Sequence, residues 1–408
     1  MRARRARALA IALAACVAAA GACRGQRGAD APYSVRDSAG VEIVSNARSA
    51  FGDSGCVRVD SVPLLRIGGI DARGPYDVLY VIGTRHLADG GVVLLDGATL
   101  ELRFFDQRGR HVRTTGRRGS GPGEFRRPGV PQWFGRDTLV VYDTWTARAT
   151  LVSADGHLLG SVSLSGIAGG GSLRGRLSDG SLLLSWTRGL RPGTEPGIRR
   201  DPVYLVRLSA SGALLDTVGV FPGPSAAVEA QGRGVAMTAP PFPRNTWFAV
   251  SADRVFVADD AEYRVLAFTG RRLQRIIVKQ VRPVPITAAD IAKEKAQRAG
   301  SGRDRSWPDW LDRLYRRENV PATFPVFSGI EADAAGWLWV RGYAPTPGGA
   351  YVWDVFDGGG RLRCSVTLPS GLRPREIGSD YILGVAADQD GVEQVRLHKL
   401  WRDAQSAR

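Results

Sequence analysis

Lysine is nearly missing from this 408-residue chain: only Lys279, Lys293, Lys295 and Lys399 occur among 55 basic residues, the rest being arginine. Set against 40 acidic residues this leaves a formal charge of +15, a balance that invites a nucleic-acid partner. The arginines do not bunch, however. They alternate with Asp and Glu along short apolar runs, as solvated strand edges do, and so strong an Arg-for-Lys bias in an Ala- and Gly-rich chain is what GC-rich coding produces. Nucleic acid is therefore set aside. Histidine is scarce as well, with His86, His111, His157 and His398 in different sequence contexts, which argues against several imidazoles converging on one metal. No Gly-x-Ser-x-Gly elbow, His-Glu-x-x-His pair, phosphate-binding Gly-Lys-Ser/Thr loop or EF-hand loop is present. Beyond the N-terminus no run of 18 apolar residues could span a membrane.

What the chain does contain begins with an export signal. Arg2, Arg4, Arg5 and Arg7 form a positive region, Leu9 to Ala19 an uncharged apolar one, and Ala20-Gly21-Ala22-Cys23 closes it. The ending reads in two ways: as a lipobox cut before a lipidated Cys23, or as a small-x-small site of ordinary secretion. Ala20 stands where a lipobox usually has Leu, but the position of Cys23 and the polar residues after it favour lipidation. The expected organisation is a signal peptide over 1–22, a lipidated polar tether over 23–39, and one β domain over 40–402. Cys16 leaves with the signal, so Cys56 and Cys364 remain in an oxidising compartment, as a candidate disulfide or as two buried thiols.

From Gly40 onward short β runs alternate with turn signals. Two stretches are in register: Asp96 and Asp143 lie 47 residues apart, as do Gly109 and Gly156. A fixed period of that length marks a propeller blade or solenoid unit. Weaker copies give units starting near 80, 132, 172, 246, 327 and 376. The last lacks an outer strand, and the strand-like segments Val41–Val44 and Val57–Leu65 precede the first unit, so an N-terminal strand is expected to complete the last unit and remove two exposed edges.

The stretch GRRGSGPGEFRRPGVPQW (116–133), with DTLVVYD (137–143) and SADGHLLGSV (153–162), resembles the NHL-type repeat of six-bladed β-propellers through Gly119, Gly121, Gly123, Phe125 and Pro128. Over roughly 40–400 the chain is similar to exported six-bladed propeller lipoproteins of bacteria. That resemblance implies an all-β six-bladed propeller and no settled activity.

Candidate site residues follow from the repeat. His86 lies on an inner strand near the expected channel. Asp96, Asp143 and Asp259 end inner strands, where they either bond backbone N–H groups of the next turn or face a ligand or cation. One segment, about 287–320, breaks the β rhythm with two capping-box signatures and an apolar face of Trp307, Trp310, Leu311 and Leu314. It is either a helical lid over the channel or a structural cap, and its arginines beside Trp307 and Trp310 suit a binding hot spot. The favoured reading is a monomeric, membrane-anchored propeller without cofactor that binds a protein, peptide or glycan. The alternative is a hydrolase or lyase of the lactonase or amidating-lyase type, with a divalent cation on the axis.

Overall fold

The computed structural model describes residues 31–49, 56–135, 137–164, 171–187, 195–231, 234–300, 309–344, 351–388 and 390–402. The expected signal peptide, Cys23, the first part of the expected tether (23–30) and Trp307 lie outside them. Among the described residues six antiparallel meanders follow one another, with inner strands Val81–His86, Gln132–Trp133, Gly171–Arg176, Thr246–Ser251, Phe327–Ala332 and Arg373–Ile377. Each inner strand from the second sheet onward lies against the inner strand of the next, and the sixth lies against the first. The first and second are linked by Arg85 Nη2, which donates to Gln132 Oε1 at 2.9 Å. The chain is thus mostly β, built from small sheets in a propeller-like arrangement.

The apolar residues of each strand pack between consecutive sheets. Phe125, from the Gly-rich loop, is 1% exposed and sits among Val93, Leu95 and Phe104 of the first sheet and Leu139, Val141 and Val152 of the second. Burying an aromatic ring between sheets contributes a few kcal/mol. The loop reaches that position through Gly116, whose φ of 91° admits no ordinary side chain and whose Cβ would stand 2.6 Å from the Phe125 ring.

The N-terminal strands divide between two sheets. Strands β3 (Val57–Val59) and β4 (Leu65–Gly68) both pair antiparallel with the long last strand Glu393–Arg402, giving the sixth sheet its outer edge. Ile67 on β4 is 1% exposed beside Val395 and Val385. The segment Val41–Val44 does not share this role. It belongs to β2 (Val41–Asn46), which pairs in parallel with Arg272–Lys279 at the edge of the fourth sheet. Asn46 explains the choice: buried between the fourth and fifth sheets, it donates to Val278 O at 3.2 Å and Gly360 O at 3.0 Å and accepts from Leu362 N at 2.8 Å. Outside β2 lies β1 (Tyr33–Ser38), so this part of the expected tether is strand. Polar residues suit an exposed outermost strand as well as a tether, and composition alone does not separate the two.

Cys56 and Cys364 form a disulfide with Cα atoms 5.7 Å apart. It joins the segment entering β3 to the outer strand Leu362–Thr367 of the fifth sheet. Between the fourth and fifth sheets come helices α1 (Ala288–Gly300) and α2 (Asp309–Leu314). The Thr287 capping box forms: Asp290 N donates to Thr287 Oγ1 at 3.2 Å and Thr287 N to Asp290 Oδ2 at 2.8 Å.

Candidate functional site

The six inner strands enclose a cavity of about 1160 Å³. Close approach of those strands requires small residues: a Cβ on Gly83 would meet Val130 Cγ1 at 2.7 Å, and one on Gly175 would meet Val250 at 3.3 Å. The pairing of four inner strands with their neighbours skips one residue, leaving Ile82, Arg174, Ser328 and Arg375 as bulge residues. A bulge re-aims the side chain of its extra residue, and Arg174 and Arg375 accordingly line the cavity.

Charge dominates the wall. Arg85, Arg127, Arg174, Arg176 and Arg375 line it, opposed by Glu331, Asp333 and Glu376, with Trp133, Trp247 and Phe248 adding an apolar face. Several of these groups are committed within the protein. Arg85 donates from Nη1 to Thr84 O and Arg375 O, at 2.9 and 2.8 Å. Glu376 accepts from the Tyr381 hydroxyl at 2.5 Å and from His86 N at 3.2 Å. Asp333 accepts from Arg402 Nη2 at 2.7 Å and Trp339 Nε1 at 2.9 Å. Arg176 lies over the Phe134 ring, its buried Nε without a hydrogen-bond partner.

Three others are less committed. Arg174 spends only Nε, on Ser185 Oγ at 2.8 Å, while its guanidinium lies over Phe248. Arg375 has a buried Nε without a partner. Glu331 has no hydrogen bond and no cation within 4.0 Å among the described residues. Its burial pushes the carboxyl up to about 7, against the pull of Arg85, Arg375, Arg341 and Arg174. Burial likewise lowers Arg174, to about 10.

The residues expected from the sequence lie elsewhere. His86 stacks on Tyr381, ring centres 4.2 Å apart, behind the cavity wall, and burial lowers its pKa. Asp96 accepts from Ala98 N at 2.7 Å and lies 3.4 Å from Arg103. Asp143 accepts from the backbone N–H groups of Arg126, Arg127, Trp145 and Thr146 at 2.6–3.0 Å. Asp259 pairs with Arg200 at 2.9 Å and accepts from Ala261 N at 3.0 Å. None of the four lines the cavity; the residues beside them do, Arg85 next to His86 and Tyr142 and Thr144 on either side of Asp143. Among the described residues no group of three or more His, Cys, Asp or Glu side chains is placed to hold a metal.

Nor does the described part of the helical insertion contribute a residue to the cavity. Trp310 packs with Leu311, Leu314 and Tyr315 against Ala227, which belongs to a separate sheet of Gly197–Arg199, Ala226–Gln231 and Gly234–Thr238. Arg313 pairs with Glu229 at 2.7 Å and Arg298 donates to Thr238 Oγ1 at 2.6 Å, so two of the arginines offered as hot-spot residues hold the insertion to that sheet. The cavity arginines themselves escaped detection because nothing in the sequence sets Arg174 and Arg375 apart from the many others. A residue–Gly step in an inner strand (Ile82-Gly83, Arg174-Gly175, Ser328-Gly329) is the one signal that marks three of the four bulges.

No protein-family model and no curated protein sequence matches the chain. Similar solved structures include a Bacteroides fragilis protein assigned as exported, at 12% identity and a TM-score of 0.50, covering 88% of this chain and 99% of that one. A member of the DUF4221 family from Bacteroides vulgatus matches at 9% identity and a TM-score of 0.44, covering 85% and 99%. Virginiamycin B lyase from Staphylococcus aureus matches at 8% identity and 0.41, covering 84% and 99%. At these identities the likeness bears on the fold alone.

Proposed function

We propose that this chain is an exported, lipid-anchored, six-bladed β-propeller that acts as a binding module, taking its ligand in the central cavity without catalysing a reaction on it. The export reading rests on residues 1–23, with Cys23 as the lipid attachment point, and the B. fragilis neighbour assigned as exported is in keeping with it. Six inner strands support a count of six blades, with β4 read as the outer strand of the sixth. The observation that carries the binding reading is a cavity of about 1160 Å³ whose wall includes charged groups left without protein partners. A fold under no demand but stability would pair those charges or replace them with apolar side chains.

Native mass spectrometry of the protein purified from its own envelope tests this reading. The protein should carry a bound small molecule that is lost on Ser172→Trp, a change at an exposed cavity-facing position. Ligand-free protein together with a stoichiometric divalent ion removed by His86→Ala would refute the reading in favour of metal-dependent catalysis.

A further inference from the structure

The cavity holds an asymmetry that folding does not require. Its lining carries five arginines against three carboxylates, and a sixth arginine, Arg341, acts on Glu331 from behind the wall, its own head held by Ser328. Asp333 and Glu376 are consumed by Arg402, Trp339 and Tyr381. Arg176 lies over Phe134 with its buried Nε unpartnered. The other open groups are Arg174 on the third sheet, Arg375 on the sixth and Glu331 on the fifth. Of the open arginines only Arg174 and Arg375 stand at bulge positions, so their direction is built into the backbone rather than left to rotamer choice. Leaving guanidinium groups short of acceptors in a low-dielectric site is costly, and natural folds keep such groups where an incoming ligand satisfies them.

Resting on the binding reading above, we infer that Arg174 and Arg375 take the oxyanion of a small organic ligand, a carboxylate or a phosphate, whose apolar body lies along the aromatic wall. The charge excess selects an anion. The guanidinium heads, with planar forked donors, match carboxylate and phosphate oxygens. The volume is far larger than a bare inorganic ion needs and of the size that small-molecule sites have. Trp133, Trp247 and Phe248 supply the surface that an apolar body requires. Glu331 faces Arg85 of the first sheet, Arg174 of the third, Arg341 of the fifth and Arg375 of the sixth, and it lies near its titration midpoint at neutral pH. An oxyanion arriving among the same arginines repels its carboxylate, so binding near pH 7 draws a proton onto Glu331.

The test is calorimetry on the purified protein at constant ionic strength, with phenyl phosphate, benzoate, inorganic phosphate and the neutral benzyl alcohol as probes. Phenyl phosphate or benzoate should bind saturably, the two probes separating phosphate from carboxylate preference. Arg174→Gln and Arg375→Gln should each weaken that binding at least tenfold, whereas Arg108→Gln, at an exposed turn outside the cavity lining, should change it less than twofold. Because neither guanidinium forms an ion pair among the described residues and Arg174 spends only Nε, on Ser185, neither variant should melt far below the wild type; a large fall in melting temperature with unchanged affinity would show a structural role and overturn the inference. Titration near pH 7 in two buffers of different ionisation heat should show proton uptake that Glu331→Gln abolishes. Binding of benzyl alcohol alone would overturn the anion assignment while leaving a ligand cavity in place. Absence of any saturable anion binding would overturn it as well, and the Ser172→Trp comparison then decides separately whether the cavity binds anything.

Discussion

Removing the disulfide should cost this protein more than any single core contact. The Cys56–Cys364 bond closes a loop of 308 residues, nearly the whole β domain. In the chain-entropy model the stabilisation grows with the logarithm of loop length, which for this loop gives about 5–6 kcal/mol. Measured values more often fall at about 2–4 kcal/mol because denatured chains keep residual structure. Both sulfurs are buried in a cluster with Trp339, Trp353 and Leu400, so replacement by Ser would add the cost of buried hydroxyls. Replacement by Ala isolates the cross-link. Cys56→Ala/Cys364→Ala should therefore lose about 3–6 kcal/mol, a large part of the roughly 5–15 kcal/mol that stabilises an ordinary domain. Urea unfolding, followed by circular dichroism and tryptophan fluorescence, measures it. In the oxidised wild type neither sulfur should react with a thiol probe until unfolding begins, since Cys56 and Cys364 are at most 1% exposed. A double variant within about 1 kcal/mol of wild type would refute the reasoning, since the loop-length argument predicts at least twice that.

Ile67→Ala should cost about 3 kcal/mol, as for other buried Ile truncations, in a single transition if β4 belongs to the cooperative core; a separate early transition would show a peripheral strand. Asp143→Asn should destabilise at neutral pH by about 2 kcal/mol, because a carboxylate accepting from several backbone N–H groups is strongly held. Burial alone would raise the Asp143 pKa, but its four N–H bonds outweigh burial and hold it below the ordinary carboxylate value. Its stabilisation is thus complete above the unfolded-state pKa and fades as pH falls through the folded one. Urea midpoints for wild type and variant should converge below about pH 4, and a gap that persists in acid would contradict the account. Cys23→Ser should release the protein from the membrane fraction and abolish fatty-acid labelling; unchanged membrane association would point to ordinary secretion with peripheral attachment.

Much of the frame was legible in local chemistry. The 47-residue register of Asp96 and Asp143 marks repeated strand ends, because an Asp at a strand end bonds the next turn wherever it occurs in the chain. The strands they end, Val92–Asp96 and Thr138–Asp143, are the second of their sheets and not the inner ones expected. The Gly-rich loop announces where Phe125 inserts, and Thr287 with Asp290 announces a helix start. The completion of the last sheet by residues near Val57–Leu65 follows from counting strands and from the cost of open edges. Two cysteines left in a chain read as exported already suggested the bond that the structure contains.

Other features depended on which surfaces meet. Val41–Val44 and Val57–Leu65 carry the same strand signal, and only the buried hydrogen bonds of Asn46 with Val278, Gly360 and Leu362 commit the first of them to the fourth sheet. The candidate site is the clearest case. Arg85, Arg174, Glu331 and Arg375 come from four sheets spread over nearly 300 residues. Two of them reach the cavity through bulges that no hydrophobic period encodes. Strand periodicity records which face of a sheet is buried against its neighbour. What surrounds the cavity is set by which inner strands come together there, and only the tertiary structure decides it.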